Sequence, residues 1–311
     1  MPPETARTSI EAASVTQFAP PVETHLVRSR YVAQTFKVQV MQPMRERGER
    51  RRYPVVYSTD ANFAFDVLKG LSFSIQTLAR NAPPFMLVGI GYPGDSPLAG
   101  SLLRVRDLTF PGYPKLSTEP PAIEGVLCSE PGTEDFGGAG SFKRFIREEL
   151  VPFIDARYPT VSGERTYFGH SAGGGFGLHT LFTNPEIFKN YVISSPGLIF
   201  NGESSGGYSY DDYDFMLQEA RRSFDTNRDF GGTQLYISVG SEEESEPELA
   251  KWRMTSSFHR MAVLLKAAQL RGLRLTTEVL QGETHLTVWP MAFIHGIQTV
   301  FGTRRPVVAA E

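Results

Sequence analysis

The sequence predicts an α/β fold, with a mostly parallel central sheet, helices on both faces and irregular insertions above it. Two observations predict it. Short apolar runs rich in branched and aromatic residues recur along the chain, each bounded by Gly, Pro or Ser. Stretches of helical periodicity lie between them. Continuous apolar runs suit strands buried on both faces, and strand–helix alternation implies parallel strands joined by right-handed crossovers. Composition agrees: 311 residues, 41% hydrophobic and 21% charged, are those of a globular chain with a sizeable core.

In chain order, residues 1–24 read as a flexible tail. Met1 to Pro21 has neither a basic n-region nor an apolar h-region. Residues 25–302 read as a single domain and 303–311 as a second tail. Tyr31 to Gln42 alternates like a half-buried strand, and Tyr53 to Ser58 is a second strand. The charged run between them (Arg45, Arg47, Glu49, Arg50, Arg51, Arg52) is expected to be a solvated hairpin tip. Further strands are expected at Phe85 to Ile90, Thr166 to Gly169, Tyr191 to Ser194, Gln234 to Val239 and Leu273 to Leu280. Helices are expected at Phe142 to Ile154, Pro247 to Leu270 and Val288 to Phe301, with Trp252 and Trp289 in helix core. Residues 93–140 and 201–232 break this rhythm and are read as insertions over the sheet.

Charge and cysteine usage exclude several classes. Thirty-four acids against 31 bases carry no global footprint for nucleic acid. The lone Cys128 cannot form an internal disulfide, and it excludes cysteine-rich metal sites. No window reaches eighteen apolar residues, so no membrane span is expected, and the cytoplasm is the default compartment.

The sharpest motif is Gly169-His170-Ser171-Ala172-Gly173, a G-x-S-x-G turn that lifts a serine out of a strand into a helix. The strand Thr166-Tyr167-Phe168 precedes it, and a glycine-rich helix start follows. A serine hydroxyl needs a base, and the base needs a group to orient it; on this kind of fold they follow in the order Ser, acid, His. Of the six histidines, His25 lies upstream and chain order disfavours His170 and His179. His259 and His295 fall inside helices, which leaves His285, directly after a strand. The acid should follow the preceding strand, in Gly240-Ser241-Glu242-Glu243-Glu244. Glu243, three positions past the glycine, is favoured, with Glu242 the alternative. Acyl transfer also needs two N–H donors for its oxyanion. Ala172 would supply one, and Ala61 or Asn62, after the Tyr53 to Ser58 strand, the other. Asp60 or Asn62 could equally cap a helix from Phe63.

These residues resemble the putative-esterase (esterase D-like) branch of the α/β-hydrolases, nearest to the enterobactin and bacillibactin esterases. The likeness rests on Tyr53 to Asp60, Arg104-Val105-Arg106-Asp107-Leu108-Thr109, Gly137 to Tyr158, Gly169 to Gly175, Ser194-Ser195-Pro196, Val239 to Glu243 and Gly282 to Val288. The resemblance implies a serine hydrolase cleaving a carboxylic ester through Ser171, Glu243 and His285, with no cofactor or metal and a small-molecule ester or thioester as substrate. The chain departs from the family pattern at Ala61, where glycine is usual, at Ile199-Phe200, where tryptophans are common, and in the aromatic content of 201–232.

Arg104 and Arg106 could hold an anionic or catecholate group, or pair with Asp107 or another loop acid. Tyr208, Tyr210 and Tyr213 could line an acyl pocket, or pack within a lid. A thioesterase, acyltransferase or cyclase would use the same three side chains, and an inactive binding module would keep only the fold. Homo-oligomers are compatible with the sequence.

Overall fold

The structure is a computed structural model that describes residues 20–45, 48, 50–94, 97–110, 137–198, 220, 222, 229–247 and 249–303. Eight strands form one sheet: β1 (Val22–Arg28), β2 (Thr35–Met41), β3 (Tyr53–Ser58), β4 (Met86–Gly91), β5 (Thr160–His170), β6 (Asn190–Ser194), β7 (Gln234–Gly240) and β8 (Arg274–Leu280). Their spatial order is β1-β2-β4-β3-β5-β6-β7-β8. β2 is antiparallel to both β1 and β4; every pairing from β4 through β8 is parallel. This is the parallel α/β architecture that the alternation of strands and helices predicts, and the α/β-hydrolase fold that the resemblance implies.

The side-chain alternation explains the layers. Neighbours on the central strands point to opposite faces, so Tyr167, Ile193 and Ile237 enter one core while Phe168, Val192 and Tyr236 enter the other. The first core is covered by α2 (Pro97–Leu108), α3 (Ala139–Phe145), α4 (Val151–Arg157), α5 (Ala172–Thr183) and α6 (Met254–Ala268). The second is covered by α1 (Ala61–Phe73) and α7 (Val288–Val300). Trp252 packs against the first core and Trp289 against the second. The close approach of α7 to the sheet depends on Gly296, where an added Cβ would lie 2.1 Å from Val192 Cγ1. Gly296→Ala is therefore expected to destabilise by about 1–3 kcal/mol despite alanine's better helix propensity. Urea-unfolding midpoints would check this, and an unchanged midpoint would contradict such tight packing.

Several expectations need correction. β1 begins at Val22, so residues 22–24 belong to the sheet and not to a tail. An edge strand with one face in solvent has little apolar signal to read. The charged run is not a hairpin tip, because β2 and β3 are not neighbours; β4 lies between them and the run spans the crossover. The helix expected from Pro247 begins at Met254, after a short 3₁₀ turn at Ala250–Trp252. The left-handed backbone of Arg253 (φ 44°) interrupts the two. Within 93–140, residues 97–108 form α2 and are not irregular. Residues 111–136, with Cys128, and 201–219 lie outside the described residues.

The sheet order positions the site. From β3 the chain moves outward to β4, then returns across β3 to β5, so the loops after β3 and β5 diverge. Such a reversal opens a crevice beyond the carboxyl ends of parallel strands.

Candidate active site

Parallel register brings four strand ends to that edge. His170 pairs with Ser194, Ser194 with Ser238, and Gly240 with Leu280. Ser171 is the next residue after β5, Glu243 lies three residues after β7, and His285 five after β8. Residues far apart in sequence are thus delivered to one edge by β5, β7 and β8, with β6 between the first two and neighbouring strands about 5 Å apart.

Ser171 sits at the bend between β5 and α5 with φ 58° and ψ −121°, a conformation costly for a residue with a Cβ. Neighbouring bonds hold it there. Its N–H donates to the Ser194 carbonyl at 3.1 Å, and its carbonyl accepts from Gly175 at 3.0 Å and Gly197 at 2.8 Å. The bend admits no side chain at Gly169, where a Cβ would meet the Gly173 carbonyl oxygen at 2.3 Å. The Ala172 N–H opens the first turn of α5, where no helical carbonyl is available to accept it and the helix dipole is positive.

The three adjacent acids part company in the structure. Glu242 is exposed and bonded to Ser241 and Ser245, and Glu244 is bonded to Ser256. Glu243 is fully buried. Its Oε1 accepts from the Gly240 N–H at 2.6 Å and the Ser195 hydroxyl at 2.5 Å, and its Oε2 meets His285 Nδ1 at 2.7 Å. A carboxylate accepts from the ring, so Nδ1 is the donor of this bond and Nε2 is left outside it. The His285 backbone N–H donates to Glu246 Oε2 at 3.1 Å, so one loop grips both the ring and the main chain of this histidine.

The His285 ring packs 4.6 Å from that of His170, the residue preceding Ser171. No hydrogen bond joins the Ser171 hydroxyl to the His285 ring. Such bonds are often long in ligand-free sites and tighten only with substrate. Burial, then the neighbouring His285 and Arg104, hold the His170 imidazole well below its ordinary range. It is therefore neutral beside His285, and its Nδ1 pairs with Ser194 Oγ at 3.1 Å.

The loop after β3 forms the opposite wall. Asp60 is left-handed (φ 61°) and does not make the side-chain cap to α1 that was one alternative; its carboxylate pairs with Arg104 at 2.5 and 3.2 Å. Asn62 does not cap the helix either. Its side chain exchanges two bonds with the Tyr92 backbone, at 2.7 and 2.8 Å, and ties the loop to the end of β4. The Ala61 and Asn62 N–H groups lie in the first turn of α1, which carries no i−4 partner for them. Thr59 bonds the Tyr167 hydroxyl, which donates to Gly173 of the serine turn at 2.7 Å, so the two loops are joined.

Arg104 and Arg106, weighed as substrate ligands or ion-pair partners, both pair with carboxylates. Arg104 grips Asp60, and Arg106 grips the fully buried Asp107 at 2.7 and 3.0 Å. The ion pairs weighed as the alternative are present in the structure. Tyr208, Tyr210 and Tyr213 lie outside the described residues. No cluster of His, Cys, Asp and Glu suited to a metal occurs among the described residues, and no helix among them is long and apolar enough to cross a membrane.

Sequence reasoning missed Ser195, Glu246 and the packing role of His170. For Ser195 the signal was a Ser-Ser-Pro run at the end of a strand; nothing local marks Glu246.

Comparison with known proteins bears on the family and the fold. The model of the family described as "Putative esterase" matches residues 128–300. The chain is 27% identical over 279 residues to the ferri-bacillibactin esterase of Bacillus subtilis, covering 88% of this chain and 86% of that protein. It is 30% identical over 221 residues to a siderophore triacetylfusarinine C esterase of Aspergillus fumigatus, covering 70% and 65%. The crystal structure of the BES protein from Bacillus cereus superimposes with a TM-score of 0.71 at 26% identity, covering 94% of this chain and 98% of that one.

Proposed function

This chain belongs to the family described as "Putative esterase", and from that premise we propose that its reaction runs through Ser171 as nucleophile, His285 as base and Glu243 as the group that orients the base. It is a carboxylic ester hydrolase. The observation that carries the residue assignment is the chain of contacts from Glu243 through His285 to the ring of His170, beside the strained Ser171.

The chemistry follows from those positions. Ser171 Oγ attacks the ester carbonyl while His285 Nε2 takes its proton, and the Glu243 carboxylate stabilises the imidazolium that forms. The Ala172 N–H and a donor from Ala61 or Asn62 meet the tetrahedral oxyanion. His285 then protonates the departing alkoxide, and water, deprotonated by the same ring, releases the acid from Ser171. The neutral His170 avoids a second positive charge beside that imidazolium.

We assign the substrate to siderophore esters carrying iron as cargo, because one relative is named a ferri-bacillibactin esterase and another a siderophore triacetylfusarinine C esterase. The lone cysteine needs no oxidising compartment, and we assign the reaction to the cytoplasm.

A substrate panel tests the assignment: a ferric catecholate triester, a ferric hydroxamate ester, a feruloyl ester, an acyl thioester and p-nitrophenyl acetate. One of the two ferric esters is expected to exceed p-nitrophenyl acetate in kcat/KM by at least about tenfold, since binding of remote groups raises transition-state affinity. Preference for the thioester, or transfer to added alcohols as the main outcome, would overturn it.

A further inference from the structure

We infer that Ser195 is a positioning residue of this site, whose hydroxyl locks the Glu243 carboxylate to the same segment that holds the Ser171 turn. The inference rests on the proposed roles of Ser171, His285 and Glu243.

Ser195 directly follows β6 and is fully buried. Its φ of 41° lies in the left-handed region, which a glycine adopts freely and a residue with a Cβ adopts at a cost. Its Oγ donates to Glu243 Oε1 at 2.5 Å, the oxygen that also accepts from the Gly240 N–H. With Oε2 facing His285, both carboxylate oxygens are engaged and the plane of the group is set. Glutamate has one more rotatable bond than the aspartate that could do the same task. A second donor on Oε1 removes that freedom before substrate arrives.

The same short segment reaches the nucleophile. The Ser194 carbonyl accepts the Ser171 N–H, and the Gly197 N–H donates to the Ser171 carbonyl. The Ser195 N–H donates to Ser238 on β7, which fixes the segment to the strand that carries Glu243. Residues 194–197 thus grip Ser171 through two main-chain bonds and Glu243 through one side-chain bond. A displacement of either end is transmitted to the other over a few rigid bonds.

Ser195→Gly separates this role from that of a simple turn. Glycine suits the left-handed backbone, so the variant is expected to be at least as stable as the parent in urea. It lacks the hydroxyl. A hydrogen bond to a charged group affects rate by about 10–100-fold, and kcat on p-nitrophenyl acetate is expected to fall by that amount with KM within about twofold. Ser195→Ala should lose as much in kcat without the gain in stability. In a Glu243→Gln background, Ser195→Gly should change kcat by less than about twofold, because Ser195 acts through the carboxylate.

The experiment pairs these rates with fluorophosphonate labelling located by peptide mass spectrometry. Parent protein labelled at Ser171, with slowed labelling in Ser195→Gly, supports the inference. Parent-like kcat in Ser195→Gly overturns it alone, as does loss of the fold in that variant. An unlabelled Ser171 in the parent overturns it together with the catalytic assignment.

Discussion

Ser171→Ala is expected to lower kcat for ester hydrolysis by about 10⁴-fold or more while the protein stays folded. The size follows from the proposed mechanism. Without Oγ there is no acyl-serine, and water must attack unaided, with only the oxyanion donors and substrate binding still accelerating the reaction. The stability expectation follows from the contacts. Ser171 is held by its backbone, through Ser194, Gly175 and Gly197, and alanine keeps all three bonds. A change within about 0.5 kcal/mol is expected from urea unfolding. Turnover of p-nitrophenyl acetate by purified protein is the readout. Parent-like turnover would reject Ser171 as nucleophile. Collapse of stability in the same variant would mean that the hydroxyl serves the fold.

Glu243→Gln carries the second large effect, a loss of about 10³–10⁴-fold in kcat. Three donors converge on this carboxylate: the Ser195 hydroxyl, the Gly240 N–H and His285 Nδ1. An amide of the same shape has one acceptor oxygen and an NH₂ group. If the oxygen stays with Ser195 and Gly240, the NH₂ faces Nδ1 and forces the ring to its other tautomer, with the proton on Nε2. The base is then already protonated where it must accept. If the amide turns over, the NH₂ confronts two donors in a fully buried site. Glu243→Ala would leave the donors unpaired and should cost about 2–5 kcal/mol of stability as well. The exposed Glu242, converted to Gln, should stay within about twofold in rate. Measuring the three variants side by side identifies the acid, and equal losses at Glu242 and Glu243 would contradict the geometry.

Legibility of the site varied with how local each signal was. The serine turn is written in five consecutive residues, because a sharp strand-to-helix bend excludes side chains at its flanks. His285 followed from elimination, since the other histidines lie upstream, inside helices or against the chain order. Glu243 was favoured over Glu242 by counting from the glycine that ends a strand, and it is Glu243 that meets His285, because β7 and β8 end in register. Other assignments turned on long-range contacts. Asp60 and Asn62 look like helix caps locally, but one is drawn to Arg104 and the other to Tyr92. Arg104 and Arg106 could locally be substrate ligands or ion-pair partners, and the structure supplies the carboxylates they pair with.

By itself the sequence determined the strand–helix alternation, the two-faced burial of the central strands, the serine turn and the order of the proposed nucleophile, acid and base. These are set by hydrophobic periodicity and by backbone sterics, which act between residues close in the chain. Only the tertiary structure decided which strands are neighbours, that the charged run crosses over β4, that two arginines pair with carboxylates, and that Ser195 reaches Glu243 across 48 positions of sequence. The physical reason is that a hydrogen bond depends on separation in space. That separation is settled by how the sheet closes its register, through the summed burial of side chains from both faces.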